Sequence, residues 1–194
     1  MITVVGWPRS GTHWLKAMLE GALGEELGHS HHVPEQEGQY VLVIRDPRDS
    51  FASHWRLYQA DGGQASELEI VDLLLKGQME SHQGWNTGWV PHTERLLALE
   101  AQGVPLVRYE ELYAYPIRVI GDTIRRLGYE VSAARIVRSV VQARGVRHDP
   151  STLPMDGAEM GRPGKGRTLH PRTMRALMAY CGPLMERLGY DDGR

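Results

Sequence analysis

Two glycines near the start of the chain, Gly6 and Gly11, have the spacing of a phosphate-binding loop. An apolar run precedes them and a helical pattern follows. A turn between strand and helix aims backbone N–H groups and the positive end of the helix dipole at one point. Arg9 adds a guanidinium fork and Thr12 a hydroxyl. This pattern favours a phosphate ligand, although Thr12 replaces the usual lysine; a tight turn without a ligand is the alternative.

A second candidate anion site follows the apolar run at 40–44. Arg45 ends this run, and Ser53 comes eight residues later, about two turns into the next predicted helix. Pro47 suits the first turn of that helix, and Asp49 is well placed as a first-turn acid. A strand-end arginine and a helix hydroxyl can therefore meet on one anion. The alternative is a surface salt bridge between a basic and an acidic side chain of this segment: Arg45 or Arg48 with Asp46 or Asp49.

Three histidines lie in the short segment GHSHHVP: His29, His31 and His32. Histidine suits the removal of a proton from a hydroxyl or amine because its unperturbed pKa is near neutrality. A metal site is the alternative, but no cysteine and no second cluster at ligand spacing completes one. From the residues alone, these histidines are candidates for a general base or are structural or exposed at the surface.

Taken together, these motifs resemble those of the sulfotransferases that use 3′-phosphoadenosine-5′-phosphosulfate (PAPS). The first family signature, roughly PKSGTTW, matches Pro8 to Trp14, and the second, roughly RNPRDxxxS, matches Arg45 to Ser53. The later YEDL stretch matches YEEL at 109–112. A basic glycine-bearing loop near the C-terminus, RKGxxG, is matched more loosely by RPGK at 162–165. The resemblance covers nearly the whole chain.

The resemblance implies PAPS as cofactor and adenosine 3′,5′-bisphosphate (PAP) as product, with no metal required. It assigns the 5′-phosphate side of the cofactor to five consecutive residues: Arg9, Ser10, Gly11, Thr12 and His13. The missing lysine is then understandable, because this cofactor has no triphosphate chain for a lysine and Mg²⁺ to hold.

The same resemblance implies a second phosphate site. Arg45 and Ser53 would bind the 3′-phosphate, while Arg162 and the backbone of Gly164 would close over that phosphate from the far side.

Three further residues complete the implied cofactor site. Trp14 would pack on the adenine, with a purely structural role in the core as its alternative. Tyr109 and Lys165 belong to the two later matched motifs and are assigned to cofactor binding on that ground.

For the catalytic base, the resemblance selects His32 from its His-x-Pro register, with His31 as second choice. Arg9 stands where the family has a lysine and would stabilise the departing oxygen through its charge, since a guanidinium does not readily give up a proton. Ser30 and His13 also depart from the family pattern. Two rival interpretations are a small P-loop kinase and a nucleotide-binding protein without transferase activity.

The segment GWNTGWVPH at 84–92 resembles a family stretch that borders the acceptor site. Trp85 and Trp89 either line an acceptor pocket or pack a helix against the core, and helix packing is slightly favoured; His92 lies in the same stretch. The interval between the first signature and the histidines is short, which predicts a small lid and an open acceptor pocket.

The elements that must position these residues alternate between strands and helices. Strands are predicted at 1–6, 40–44 and 104–109. Helices are predicted from the apolar pattern at 14–23 with Gly24 as its stop, from Pro47, from Ser66 to Gly77, and at 91–102, 115–127, 132–143 and 171–188, with a Pro/Gly-rich stretch at 148–167. The pattern predicts an α/β fold: a short central parallel sheet flanked by helices, a three-layer sandwich like that of P-loop NTPases.

The composition of the chain limits the number of domains, the cellular location and the kind of partner. The 194 residues are 41% hydrophobic, which predicts one domain, residues 1–194, with a substantial core. A single cysteine and the absence of a visible signal or membrane span predict a cytoplasmic protein. The net charge of −2 argues against a nucleic-acid partner, although residues 118–175 are locally basic. The expected partner is a small-molecule or glycan acceptor, with no membrane partner and an undefined oligomeric state.

Overall fold

The computed structural model describes residues 1–35, 38–78, 87–145 and 162–190. Most of the Pro/Gly-rich stretch and Trp85 lie outside these ranges. Within the parts of the chain that are described, no helix combines the length and the apolar character needed to cross a bilayer.

A four-stranded parallel sheet forms the centre of the molecule. Its strands are β1 (Ile2–Gly6), β2 (Gly28–Ser30), β3 (Gln39–Ile44) and β4 (Leu106–Arg108), in the spatial order β2-β1-β3-β4. All three neighbouring pairs are parallel. The register places Gly6 beside Val43, so the loops that follow β1 and β3 leave the same edge of the sheet.

Eight α-helices connect and cover the strands within the described ranges. They are α1 (Thr12–Leu23), α2 (Pro47–Ala60), α3 (Glu67–Lys76), α4 (Trp89–Glu100), α5 (Tyr109–Ala114), α6 (Pro116–Arg126), α7 (Ala133–Gly145) and α8 (Pro171–Arg187). A short 3₁₀ turn at Lys165–Thr168 precedes α8.

Alternate residues of β3 belong to two separate cores, as expected for a strand covered on both faces. Leu42 and Ile44 pack in a core that includes side chains of α2, α3, α4 and α8. Val41 and Val43 pack in the other core, with side chains of α1, α6 and α7. Helices therefore cover both faces of the sheet, and the predicted three-layer α/β architecture is confirmed.

Several predicted helix boundaries are confirmed by their capping geometry. Gly24 ends α1 in the left-handed conformation, with φ of 78° and its N–H bonded to the carbonyl of Glu20. Ser66 and Glu69 form the reciprocal capping box at the start of α3, and Gly77 ends that helix.

Two parts of the predicted strand pattern differ from the structure. The segment Gly28–Ser30 is a strand, although its glycine, histidine and serine carry little strand propensity. The predicted strand at 104–109 is too long, because β4 ends at Arg108 and Tyr109 begins α5. That difference places the ring of Tyr109 at the edge of the sheet beside the first loop.

Candidate active site

The loop after β1 leads directly into a helix whose N-terminus has no side-chain cap in the described part of the chain. Arg9 has a φ of 64°, an uncommon conformation for a residue other than glycine, and Gly11 has a φ of 89°. A Cβ on Gly11 would lie 2.3 Å from the ring of Tyr109. The loop is therefore a tightly constrained turn that leaves the first backbone N–H groups of α1 available to an anion.

Arg45 lies at the centre of this site and is only 4% exposed. Its Nη1 donates to the backbone carbonyl of Arg9 at 3.1 Å, and its guanidinium carbon lies 4.2 Å from the centroid of the Tyr109 ring. Nη2 is 3.7 Å from Oδ2 of Asp49. Neither Nε nor Nη2 of Arg45 has a hydrogen-bond partner among the described residues.

A second arginine, Arg9, lies next to Arg45. Nε of Arg9 donates to Oγ of Ser53 at 3.0 Å, which joins the first loop to α2. Desolvation and the positive charge of Arg45 both lower the pKa of Arg9. The two positive charges together favour an anionic ligand at this end of the sheet.

The structure thus brings together the two motifs that the sequence predicts to meet. The buried hydroxyl of Ser10, beside Arg9, also lacks a hydrogen-bond partner in the described ranges. Buried donors without partners cost free energy, so their accumulation at one point fits a ligand with phosphate oxygens.

Arg48 forms the salt bridge that the alternative interpretation of this segment predicts. Its Nε and Nη2 contact the carboxylate of Asp46, with Nη2 at 2.6 Å from Oδ2. Asp46 also caps α2 by accepting from the backbone N–H of Arg48. Both ion pairs of this segment therefore form, Arg48 with Asp46 through hydrogen bonds and Arg45 with Asp49 at 3.7 Å.

Asp49 has a role that the sequence did not reveal. Its Oδ2 accepts from the backbone N–H of Gly164 at 2.8 Å, and its Oδ1 accepts from that of Gly166 at 2.7 Å. These bonds tie the C-terminal basic loop to the first turn of α2. The amide of Gly164 is already engaged here, so its expected contact with a phosphate remains a prediction. The side chains of Arg162, which is exposed, and Lys165, which is half-buried, are carried by the same loop.

The aromatic part of the site lies beside Trp14. The half-buried ring of Trp14 is 5.9 Å from that of Tyr109 and 6.3 Å from that of Tyr113. It contacts the core formed with α1, α6 and α7, but it is not fully enclosed. Both expectations for Trp14, adenine stacking and core packing, are compatible with this position.

Tyr109 and Glu110 brace the loop that follows β3. Burial raises the pKa of Tyr109 to about 12, although the nearby Arg45 acts in the opposite direction. Oε1 of Glu110 accepts from the backbone N–H of Asp46 at 2.9 Å, and Oε2 accepts from the hydroxyl of Tyr190 at 3.2 Å. The YEEL motif therefore fixes the backbone next to Arg45.

The three histidines predicted as candidate bases have different environments. His31 is half-buried, with Nδ1 2.8 Å from the carbonyl oxygen of Gly6. His32 is exposed, and its backbone N–H and carbonyl both bond to the hydroxyl of Ser30. Nε2 of His29 is 2.9 Å from Oγ1 of Thr12. Only the ring of His31 is therefore held directly against the end of β1.

The histidine rings form a cluster next to the first loop. His13 stacks on His29 with centroids 4.1 Å apart, and His29 meets His31 edge-on at 4.5 Å. Burial, together with the proximity of His13, lowers the pKa of His29 to about 4. Burial also lowers the pKa of His31, an effect partly opposed by its hydrogen bond to Gly6. Both rings are therefore neutral at pH 7.

His92 supports the histidine segment from α4. Its Nε2 donates to the backbone carbonyl of His31 at 3.0 Å, and burial lowers its pKa to about 4. Trp89, one turn earlier, is 1% exposed within the core, which confirms the packing interpretation for that residue. Trp85 lies outside the described residues, so its predicted position beside the acceptor stays a prediction.

The parallel four-stranded sheet with helices on both faces has the α/β fold of a solved sulfotransferase structure. The structure of mouse sulfotransferase SULT7A1 complexed with PAP is similar, with a TM-score of 0.74 and 16% identity over 95% of this chain and 84% of that chain.

Two structures of retinol dehydratase are also similar, each 13% identical over 95% of this chain and 80% of the other. One contains androsterone and the inactive cofactor PAP and has a TM-score of 0.70; the other contains retinol and PAP and has a TM-score of 0.69. At these identities the likeness is one of fold. No model of a protein family matches the sequence, and no curated protein matches it.

Across the described ranges, no group of three histidine, cysteine, aspartate or glutamate side chains is arranged to hold a metal ion.

Proposed function

We propose that this protein is a PAPS-dependent sulfotransferase that transfers a sulfuryl group to a hydroxyl or amine. The observation that carries this proposal is the meeting of Arg9, Arg45 and Ser53 at the ends of β1 and β3, with donors of Arg45 left without partners in the described ranges. The N–H groups that begin α1 form a second set of donors, so a nucleotide with two separate phosphates matches the donors present.

The positions of these donors divide the proposed cofactor site into a 3′-phosphate part and a 5′ part. Arg45 and Ser53 bind the 3′-phosphate. The backbone at the start of α1, with Ser10 and Thr12, binds the 5′ side, where helix dipole and N–H groups favour negative charge. Trp14 lies against the adenine. PAPS supplies an activated sulfuryl group when it is bound.

We assign the general base to His31. A carbonyl oxygen only accepts, so the contact with Gly6 places the proton of the neutral ring on Nδ1 and leaves Nε2 as the basic nitrogen. Burial keeps this ring neutral at pH 7 by lowering its pKa. The hydrogen bond from His92 holds its backbone. His32, favoured by the family register, is the alternative and is exposed.

Arg9 provides positive charge at the leaving group. Its backbone conformation is fixed by the turn and its Nε by Ser53, so the guanidinium is oriented before the reaction begins. Such preorganised charge stabilises an oxygen that becomes more negative in the transition state. This role needs no proton from Arg9.

An assay of the full chain with ³⁵S-labelled PAPS and a panel of phenols, alcohols, sugars, glycans and amines tests the proposal. Transfer of label to any acceptor, abolished in Arg45→Ala, is the expected result. Binding of PAP without transfer to any acceptor would instead favour a nucleotide-binding protein. Binding of ATP and Mg²⁺ in preference to PAP would favour the kinase interpretation.

A further inference from the structure

Asp49 is a buried carboxylate in the middle of a site built for anions. It is only 2% exposed, and its two oxygens bond to the backbone N–H groups of Gly164 and Gly166, more than a hundred residues away along the chain. A buried negative charge beside a phosphate site is costly unless it has a structural use.

The hydrogen bonds from the two loop amides determine how closely the carboxylate of Asp49 approaches the guanidinium of Arg45. Because Oδ1 and Oδ2 each accept from an amide of the loop, the carboxylate approaches Nη2 of Arg45 only to 3.7 Å. Nε and Nη2 of Arg45 consequently have no hydrogen-bond partner among the described residues. Asp49 thus balances the charge of the buried guanidinium without occupying its donors.

The loop also packs closely on the first turn of α2. A Cβ on Gly166 would lie 2.4 Å from Cβ of Arg48 and 3.0 Å from its carbonyl carbon. Gly164 has a φ of 95°, which favours glycine. The backbone of residues 164–166 therefore lies directly on the first turn of α2, where Asp49 receives both amides.

We propose that Asp49 is a positioning residue for the cofactor: it fixes the loop at 162–168 as the second wall of the 3′-phosphate site and keeps the donors of Arg45 available. This inference rests on the proposed function, since it names how that nucleotide site is held in shape. Asp49 itself need not touch the cofactor. Its effect passes through Arg45 on one side and through the loop that carries Arg162 and Lys165 on the other.

Isothermal titration of the full-length Asp49→Asn variant with two nucleotides tests the proposal. PAP carries the 3′-phosphate, and adenosine 5′-monophosphate lacks it. Asparagine retains the shape but offers one acceptor in place of two and removes the charge. We expect PAP affinity to fall about tenfold or more, as for the loss of a charged hydrogen bond, with little change for adenosine 5′-monophosphate. Asp72→Asn, an exposed carboxylate paired with Lys76 on α3, is the matched control and retains wild-type affinities.

Gly166→Ala provides a second, independent variant. It pushes the loop away from Arg48 while leaving the side chains of Asp49 and Arg45 intact, and it should produce the same selective loss of PAP affinity. If Asp49→Asn does not fold, the PAP affinity of Gly166→Ala tests the proposal instead.

Equal losses for both nucleotides, or unchanged PAP binding in either folded variant, would overturn the role of Asp49. If the wild-type protein binds PAP no more tightly than adenosine 5′-monophosphate, the proposed function is wrong. The role of Asp49, which depends on that function, is then wrong as well. The wild-type titration therefore distinguishes the two failures.

Discussion

The guanidinium of Arg45 donates a hydrogen bond to the backbone carbonyl of Arg9 over a distance of 3.1 Å. The two residues are 36 positions apart in sequence, but β1 and β3 are adjacent and parallel, so both strands deliver their following residues to the same edge of the sheet. This bond links the first loop to the end of β3, and it makes Arg45 the most informative side chain to change.

Replacing Arg45 with lysine retains the charge but removes the fork that supplies several donors. We expect Arg45→Lys to weaken PAP binding by roughly 10- to 100-fold, because charge-assisted hydrogen bonds of this kind contribute about 1.5–3 kcal/mol. The measurement is isothermal titration with PAP.

Arg118→Lys is the matched control for that prediction. Arg118 also lies over a tyrosine ring, 5.0 Å from the centroid of Tyr115, and is 3.6 Å from the carboxylate of Glu111. It is exposed on α6. Equal losses in Arg118→Lys and Arg45→Lys would show that the effect does not come from the proposed site.

The assignment of the base is tested by changing His31 and His32 separately to glutamine. Glutamine at 31 can still donate to the carbonyl of Gly6 but cannot accept the proton of an acceptor molecule. We expect His31→Gln to lower kcat of sulfuryl transfer by about 10²-fold or more while PAP affinity stays near that of the wild type, and His32→Gln to change kcat only a few-fold. The reverse ranking of kcat would assign the base to His32, as the family register implies.

Substitutions of Trp14 distinguish its two possible roles, adenine stacking and core packing. If the indole stacks on adenine, Trp14→Ala should weaken PAP binding by about tenfold or more, since stacking of one base contributes about 1–3 kcal/mol, and Trp14→Phe should retain most of the affinity. Thermal denaturation of both variants accompanies the titration. A lower melting temperature in Trp14→Ala with an unchanged Kd for PAP would leave only the packing role.

Burial of His92 makes the stability of the protein depend on pH. Its pKa is about 4 in the folded state, below the ordinary value of 6.5, so the unfolded chain binds a proton between these values and the folded chain does not. The neutral ring of His92 therefore makes its full contribution to the free energy of unfolding above about pH 6.5. This contribution is lost as the pH falls toward 4. The hydrogen bond to the carbonyl of His31 opposes this lowering of the pKa, whereas the positive charge of Arg95 adds to it.

His92→Gln removes this titration and keeps a side-chain donor for the carbonyl of His31. We expect the free energy of unfolding of the wild type to fall more than that of His92→Gln between about pH 7 and about pH 5, by roughly 2 kcal/mol. Urea denaturation at the two pH values measures the difference. An identical pH dependence in both proteins would contradict this account of His92.

Much of the architecture could be predicted from local patterns. The apolar run of β3 is continuous because both faces are buried, and the glycines at 24 and 77 end helices as their positive φ values require. The meeting of Arg45 with the first loop was predictable too, because parallel strands that follow buried runs end at one edge of the sheet.

Other features depend on packing that no local pattern contains. β2 is held by its pairing with β1 rather than by the propensity of Gly28 or Ser30. Asp49 fits the ordinary pattern of a first-turn acid, and its bonds to Gly164 and Gly166 exist only because the C-terminal loop folds back onto α2. The second aspartate of the RDPRD motif was the available signal for this role, but the sequence offered no indication of its partner.

A crystal structure of the full chain with PAP would locate both phosphates of the nucleotide. We expect the 3′-phosphate against Nε and Nη2 of Arg45 and the hydroxyl of Ser53, with the 5′-phosphate at the N–H groups that begin α1. A nucleotide bound elsewhere, or bound with Arg45 contacting neither phosphate, would contradict this expectation.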